Sequence, residues 1–397
     1  MGLAPDAMPG MSLFFKELLI CEKTEMEIIV KHKTQLLLLA SLSPLLANAA
    51  LADDSTVTIY GRIHADFENT KSGAASTAIS MNKVANDTSR IGFKGTEDLG
   101  NGLQAIWQVE SGVAINDGSG TGSNVLAGRE SFIGLSSSQL GTLKAGNFLV
   151  AIDDLHYIAG NSFQYATGIS NDATLWANGG SLASGGFDVR AGNSVSYQTP
   201  KFNNVTARIQ YSLTSGTGSS ETISNGATLV SGNLTYDDGQ LRVGYGFQQN
   251  RAMQAMSSNF YQNGLMHMLA AGYSFGSVYV GGLLEHDILD NINLTGNSRS
   301  RNYGSLIGTY TNGANIFSAQ YGQAASWKGS AAVQDSGAKM GTLAYNRVLS
   351  KTTQVYVLLT ELHNQANATY VLGGNPSATA AGASKQHSLA VGMWKNF

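Results

Sequence analysis

Charge, proline and cysteine are all scarce in this chain of 397 residues. Charged side chains make up only 13%, about half the share of an ordinary soluble domain, and the formal net charge is −3. With a pI near 6.2, nothing favours nucleic acid as a partner. The single cysteine excludes a disulfide framework and a thiolate zinc site. Low charge combined with 9% aromatic residues also excludes a disordered tail.

The N-terminal region has the layout of a secretory signal. Basic residues at 31–33 precede an apolar stretch at 36–46, and A-x-A sequences ending at Ala49 and Ala52 follow. The apolar stretch is shorter than the roughly 20 residues that a membrane-spanning helix needs. We therefore predict three parts: an N-terminal extension from an early start codon at 1–29, a signal peptide at 30–52, and a mature chain at 53–397. Cleavage is expected after Ala52, with Ala49 as the second choice.

Beyond this region the dominant pattern is a strict alternation of apolar and polar residues. Between Val57 and Phe67 the odd positions are apolar or small, and the even positions are polar. Residues 205–211 and 241–247 repeat the pattern. Successive side chains of a β-strand point to opposite faces. In an outer-membrane barrel the apolar face meets lipid and the polar face meets a water-filled lumen.

Segments of this kind predict an all-β, sixteen-stranded antiparallel transmembrane β-barrel. Long and short connections alternate along it, as expected for external loops and periplasmic turns. The longest connection, about 149–191, follows the fifth strand. The chain ends at Phe397, an aromatic residue on the lipid-facing register. The predicted strands are 57–67, 88–96, 103–111, 129–136, 141–148, 192–198, 204–212, 229–236, 240–249, 265–275, 277–286, 302–311, 314–323, 338–346, 353–363 and 386–397.

Six segments spread over the mature chain carry a family resemblance. They are Val57–Gly61, Ser89–Leu103, Arg129–Leu135, Gly192–Tyr197, Leu349–Thr352 and Val391–Met393. In these segments the chain resembles the Gram-negative general porins of the neisserial, Burkholderia and Comamonas type. The second segment, SRIGFKGTEDLGNGL, is the most specific.

The resemblance implies a homotrimer in the outer membrane, surrounded by its lipids, that passes ions and small hydrophilic solutes by passive diffusion. It also implies that the third external loop folds inward and narrows the pore. One departure concerns the end of the fifth strand, where relatives usually carry Gly-Arg and this chain has Gly146-Asn147. One basic group of the constriction is therefore missing.

Strand parity suggests which charges line the pore. A ring of charge in a narrow lumen selects ions, because the field is focused there. The expected basic residues are Arg62, Arg90, Lys94, Arg129 and Lys144. The expected acidic residues, all in the long loop, are Asp153, Asp154, Asp172 and Asp188. If the narrowest point of the pore lies elsewhere, the same residues are solvated charges of the lumen wall or of the rim.

Other readings of the sequence are weaker. His64 and Asp66 share a strand face, but no G-x-S-x-G elbow accompanies them, so we expect no enzyme and no catalytic residues. The mature histidines lack metal-ligand spacing, so neither a metal nor another cofactor is expected. Two alternatives remain: a substrate-selective channel of the same fold, and a non-conducting barrel with an adhesive or structural role.

Overall fold

The computed structural model describes residues 55–73, 79–116, 126–160, 169–170, 173–176, 187–213, 228–254, 261–292, 295–372 and 384–397. One compact unit, Asp53–Asp98 with Gly102–Phe397, contains the architecture below. The other, Met1–Ala52 with Leu99–Asn101, lies almost entirely outside the described residues, as do the predicted extension (1–29) and signal peptide (30–52). Among the described residues no helix has the length and hydropathy needed to cross a bilayer.

The described residues form seventeen strand segments in one antiparallel sheet. A 3₁₀ turn at Ala151–Asp153 and two short helices, α1 (Asp154–Ala159) and α2 (Ala173–Trp176), follow the sixth segment. The segments are β1 (Thr56–Gly73), β2 (Ile79–Asn86), β3 (Arg90–Gly100), β4 (Leu103–Gly112), β5 (Ser131–Ser137), β6 (Gly141–Leu149), β7 (Arg190–Gln198), β8 (Val205–Ser212), β9 (Thr228–Asp237), β10 (Leu241–Gln254), β11 (Tyr261–Phe275), β12 (Val278–Ile292), β13 (Asn297–Asn312), β14 (Asn315–Ala324), β15 (Ala338–Ser350), β16 (Thr353–Asn364) and β17 (Lys385–Asn396).

Segments β2 and β3 are two parts of a single barrel strand. β2 pairs with the second half of β1, from Ala65 to Ser72, and β3 pairs with its first half, from Thr56 to Arg62. Thr88 interrupts the ladder between them with a left-handed backbone (φ 59°). The sheet is therefore a closed barrel of sixteen strands, which confirms the predicted fold class.

The barrel closes where the first strand meets the last. β1 pairs with β17 from Arg62–Asn396 to Gly73–Lys385. Below this ladder, Gly61 and Phe397 exchange two backbone hydrogen bonds of 3.0 and 3.1 Å. The Phe397 ring covers Gly61 so closely that a Cβ there would lie 2.4 Å from the ring. Closure leaves no backbone edge unpaired in lipid, which is the condition for spanning a membrane with strands.

Connections sort by length between the two ends of the barrel, as predicted. Tight turns at one end use residues suited to them: Gly239, with φ 93°, follows Asp238, whose Oδ1 accepts from the N–H groups of Gln240 and Leu241. Those two backbone donors hold the pKa of Asp238 below its usual value. At the other end several strands run farther than predicted. β1, for example, continues to Gly73 instead of ending at Phe67. The alternation of apolar and polar residues ends where a strand leaves the lipid. The backbone hydrogen bonds between neighbouring strands continue beyond that level.

The described parts of the long connection after β6, at 150–160, 169–170, 173–176 and 187–189, lie inside the barrel. Its helix α1 packs against β10, β11 and β12, and α2 packs against β14 and β15. Ile152, Leu155 and Ile158 are fully or almost fully buried there. The segment from 150 to 189 is called the inserted loop below.

Candidate functional site

Arg62 and Arg90 face each other across strands β1 and β3. They are direct register partners, and the next residue along each strand, Ile63 and Ile91, is exposed on the outer face, so both arginine side chains lie on the inner face. Opposed side chains in an antiparallel pair have Cβ atoms about 5 Å apart, where like charges repel. Arg62 also donates from Nε to Asn396 Oδ1 at 2.9 Å, and its guanidinium carbon lies 4.4 Å from the Trp394 ring centroid.

Glu110 on β4 places a negative charge beside Arg90 and Arg129. Its carboxylate lies 2.5 Å from Arg129 Nε and 3.6 Å from Arg90 Nε, and it accepts a hydrogen bond of 3.0 Å from the Tyr60 hydroxyl. The side chain is 8% exposed. Sequence reasoning missed this residue, although it shares the inward parity of Gln108 on the same strand.

The two lysines of the predicted site also project inward. Lys94 lies on β3, and its Nζ is 5.1 Å from the Tyr60 ring centroid. Lys144 lies on β6, with Nζ 4.5 Å from the Phe132 centroid and 5.0 Å from that of Phe148. All five predicted cations are thus brought to one side of the lumen. We call Arg62, Arg90, Lys94, Arg129 and Lys144 the basic wall.

The acids of the inserted loop are placed differently. Asp154 opens α1 and accepts hydrogen bonds of 3.1 and 3.2 Å from Arg208 Nη1 and of 2.8 Å from Asn233. Asp153 lies in the preceding 3₁₀ turn and is half-buried. Arg208 was not among the predicted site residues, although its parity on β8 marks it as inward. The charge of Asp154 is therefore largely balanced before any solute meets it.

Asp188 helps to attach the inserted loop to the barrel wall. Its carboxylate has no exposed surface and bonds to His156 Nε2, while its backbone N–H donates to Gln248 Oε1 at 2.8 Å. Trp176 stacks on the His156 ring with centroids 4.2 Å apart. Asp188 does not face the basic wall. Asp172 lies outside the described residues.

Four inward-facing glycines receive the inserted loop. A Cβ on Gly281 would lie 2.5 Å from the carbonyl oxygen of Ala159, and one on Gly244 would lie 2.6 Å from Ile158 Cδ1. Side chains at these positions would hold the loop away from the wall. We call Gly244, Gly246, Gly272 and Gly281 the loop seat.

Arg301 on β13 contacts two of the connections between strands, the one that follows β6 and the one that follows β16. Its guanidinium donates to Asp287 Oδ2 at 2.8 Å, to the Tyr370 hydroxyl at 2.8 Å and to the Trp176 carbonyl at 2.6 Å. Glu285 lies 3.8 Å away, and the arginine side chain is only 1% exposed. No sequence pattern pointed to this residue, because its partners are distant along the chain.

Within the described ranges, two groups of three side chains have a spacing that a metal ion could bridge. Asp66, Glu68 and Asp87 have oxygen atoms within 4.8 Å of one another, but Lys83 Nζ lies 2.9 Å from Glu68 and already supplies a cation. The other group overlaps the contact between His156 and Asp188. We assign a metal to neither.

The geometry describes a channel whose two sides differ. One side carries partly exposed cations, and the other is covered by the inserted loop. A narrow lumen built in this way discriminates solutes by size and charge, because low-dielectric walls focus the field of fixed charges.

Comparison with known proteins also indicates a channel. A family model described as Gram-negative porin matches residues 37–367. The outer membrane porin protein 32 of Delftia acidovorans is 29% identical over 339 residues, covering 83% of this chain and 90% of that protein. The major outer membrane protein P.IB of Neisseria meningitidis is 32% identical over 237 residues, covering 58% of this chain and 64% of that protein.

Among solved structures, the anion-selective porin from Comamonas acidovorans superposes with a TM-score of 0.71 at 26% identity. The match covers 87% of this chain and 100% of that one. The family model, the curated relatives and the sixteen-stranded barrel agree: this chain belongs to the Gram-negative porin family and forms a diffusion channel in the outer membrane.

Proposed function

We propose that the channel passes ions and small hydrophilic solutes without strict specificity and with a weak preference for anions. The observation that carries the proposal is the imbalance of charge at the basic wall. Five cations line that side, and Glu110 is the carboxylate that contacts two of them. Two loop acids that would oppose them, Asp154 and Asp188, are engaged by Arg208 and His156.

The preference is expected to be weak for electrostatic reasons. A unit charge about 4 Å from a passing ion contributes roughly 1 kcal/mol in a water-like dielectric, and salt screens it further. Asn147, which stands where relatives carry arginine, donates its amide to the Arg129 carbonyl at 2.9 Å and adds no charge. The Comamonas relative named as anion-selective supports the predicted sign.

The test is a reversal-potential measurement in planar bilayers under a salt gradient. The variant R62Q/R90Q is expected to shift the reversal potential toward cation preference. The control R347Q/K395Q removes two cations from the outer surface and is expected to leave it unchanged. Wild-type reversal potential in R62Q/R90Q at low ionic strength would contradict the proposal.

A substrate-selective channel for organic anions is the second candidate. Aromatic rings stand beside cations on the inner face, as Trp394 does beside Arg62 and Phe132 beside Lys144. Such pairs suit a ligand with both an apolar part and a carboxylate. Saturable flux of an aromatic carboxylate, lost in Phe132→Ala, would favour this candidate. Flux proportional to concentration favours general diffusion.

We infer that transport involves no covalent step. His64, the histidine nearest to a triad pattern, has no exposed surface, and its Nε2 lies 2.8 Å from the Tyr356 hydroxyl. A buried ring of this kind does not meet a substrate, which supports a channel without catalysis.

We also propose a homotrimer whose mature chain begins at Asp53. A solved outer membrane protein of Vibrio cholerae with the same fold is described in a trimer form, which supports the oligomeric state. Sedimentation of the folded protein in density-matched detergent measures it. N-terminal sequencing of protein from outer membranes distinguishes cleavage after Ala52 from cleavage after Ala49.

A further inference from the structure

Two histidines face each other on the outer surface of strands β11 and β12. His267 and His286 are direct register partners across the hairpin; the first is half-buried and the second is exposed. The next row toward the short turn carries Leu269 and Leu284, with exposures of 49% and 65%. Because the register of the hairpin and not a spacing along the chain brings the histidines together, no sequence motif marked them. We call His267 and His286 the histidine pair.

The histidine pair lies near the outer edge of the lipid band. His267 stands about nine residues, or roughly 30 Å along the strand, above the short turn at Gly276. With a strand tilt of about 40° this is roughly 23 Å in height, and the apolar band of such a barrel is about 25 Å tall. Two outward-facing rows higher, the register partners Asn263 and Asp290 are both exposed. Ions from the external water can therefore reach the histidine pair.

Hydrogen bonds on the two flanks orient the rings. Nδ1 of His267 lies 2.8 Å from the Tyr245 hydroxyl, on the side of β10. Nδ1 of His286 lies 2.6 Å from Asn302 Oδ1, on the side of β13. Nδ1 and Cδ2 flank the point at which an imidazole ring is attached, and Nε2 is bonded to Cδ2. Each Nε2 is therefore on the ring edge that faces the other histidine.

The same contacts determine which nitrogen atoms are available. An amide oxygen only accepts hydrogen bonds, so Nδ1 of His286 donates to Asn302 and the lone pair of Nε2 stays free. The Tyr245 hydroxyl can accept from His267 Nδ1 in the same way. In the part of the chain that the structure describes, neither Nε2 atom has a hydrogen-bond partner. Histidines that bind metals are commonly held through the other ring nitrogen in this manner.

The space between the rings suits a single ion. A surface cavity of about 370 Å³ is lined by Tyr245, His267, His286 and Asn302, among other residues. Opposed side chains in an antiparallel pair have Cβ atoms about 5 Å apart. A metal ion that binds each nitrogen at about 2.1 Å needs the two Nε2 atoms no more than about 4.2 Å apart. Two rings on neighbouring Cβ atoms reach that separation by side-chain rotation alone.

We propose that the histidine pair binds one divalent transition-metal ion, of the class of Cu²⁺ and Zn²⁺, through the two Nε2 atoms. Water fills the remaining coordination positions. Tyr245 and Asn302 are positioning residues that hold the Nδ1 side of each ring. Imidazole ligands favour such metals, and Cu²⁺ binds most tightly among them, whereas Mg²⁺ and Ca²⁺ prefer oxygen. The site lies outside the lumen and does not rest on the ion preference proposed above.

Titration of the folded protein with Cu²⁺ in neutral detergent, on a chain without a histidine tag, tests the proposal. Electron paramagnetic resonance at substoichiometric Cu²⁺ is expected to show two nitrogen ligands, and calorimetry gives the affinity. H267Q/H286Q is expected to bind Cu²⁺ more weakly by about tenfold or more, because losing an outer partner alone costs about 10- to 100-fold. The matched control H363Q/H387Q removes two other outward-facing histidines, and it is expected to bind Cu²⁺ as the wild type does.

A second variant separates metal binding from a purely structural role. Asn302→Leu keeps both imidazoles but removes the acceptor for His286 Nδ1, so the Cu²⁺ affinity is expected to fall about tenfold. Its unfolding temperature without metal is expected to match the wild type. Wild-type affinity in H267Q/H286Q, or loss of the two-nitrogen signal in H363Q/H387Q, would overturn the proposal. Displacement of Cu²⁺ by excess Ca²⁺ would indicate a carboxylate site and would overturn it as well.

Discussion

The two sides of the lumen follow the same alternation but carry different chemistry. On the basic wall the inward residues are charged and partly exposed; Arg90 and Arg129 keep 25% and 26% of their side-chain surface. On the opposite side the inward residues of β10 to β12 include the loop seat and fully buried residues such as Met266 and Leu283. The alternation of side chains along a strand determines which residues point inward. Whether water or the inserted loop covers an inward position determines which residue types occur at that position.

Arginine shows the contrast most clearly. Arg62 faces the lumen, where the Asn396 amide and the Trp394 ring contact its guanidinium and no buried carboxylate is paired with it among the described residues. Arg301, under the inserted loop, is almost without exposed surface and is held by a carboxylate, a phenol and a carbonyl. A charge removed from water requires such partners, whereas a charge at a water-filled surface does not.

The largest effect is expected from removing the buried cation. Arg301→Met leaves Asp287 and Glu285 buried without their counter-charge, and breaking a buried pair costs about 3–5 kcal/mol. We expect a loss of that size in the free energy of unfolding in lipid vesicles, together with noisier open-channel current as the loop contact at Trp176 is lost.

The control for this variant is Arg347→Met, which removes an exposed arginine whose Nη1 bonds to Asn315 at 3.0 Å. Its stability and current noise are expected to match the wild type. Equal behaviour of the two variants would show that burial does not distinguish the two kinds of arginine.

A smaller effect is expected at the loop seat. The Cβ of Gly281→Ala would lie 2.5 Å from the Ala159 carbonyl oxygen, so α1 must move away from the wall. Overpacking of this kind costs about 1–3 kcal/mol. We expect a lower single-channel conductance, because a loop displaced from the wall moves into the lumen and narrows it further. Gly308→Ala, where nothing lies within 4 Å, should conduct as the wild type does; a matching decrease there would show that the conductance does not depend on how the loop packs against the wall.

Much of the barrel was predictable, because alternation and turn chemistry are local. The inward direction of Arg62, Arg90, Lys94 and Lys144 followed from parity alone. The second strand was predicted as one segment at 88–96, whereas the ladder also includes β2 at Ile79–Asn86. In this extension the outward residues Ser80 and Asn82 are polar and Val84 alone continues the apolar face opposite Phe67, so the two-residue period hardly shows in hydropathy.

Contacts between distant segments were not predictable from one sequence. Asp188 was expected to face the basic wall, but its carboxylate is buried against His156, 32 residues earlier in the chain. Arg301 reaches the Trp176 carbonyl, 125 residues away. Glu110 differs from these, because its parity identified it as inward and only its role in compensating Arg90 and Arg129 needed the structure.

Glu110 gives a prediction opposite in sign to the arginine variants. Glu110→Gln removes the carboxylate between Arg90 and Arg129 and leaves both cations in place, so anion preference should increase. The permeability ratio is expected to change by up to about fivefold at low salt, which corresponds to one unit charge near the ion path. Glu97→Gln, at an exposed position on β3, serves as the control. A shift toward cations in Glu110→Gln would mean that the arginines depend on this carboxylate to face the lumen.

The smallest effect is expected at Lys94, which lies nearer to the short-turn end of the barrel than Arg90 on the same strand. It pairs with Thr58, whereas Arg90 pairs with Arg62, so the two cations are four residues, or about 14 Å, apart along β3. The Debye length is about 10 Å in 0.1 M salt and 30 Å in 0.01 M salt. If the narrowest point lies at the level of Arg62 and Arg90, Lys94→Gln should shift the reversal potential clearly at 0.01 M and hardly at 0.1 M, while Arg90→Gln shifts it at both. Equal shifts at 0.1 M would place the constriction lower in the barrel, between these two rows.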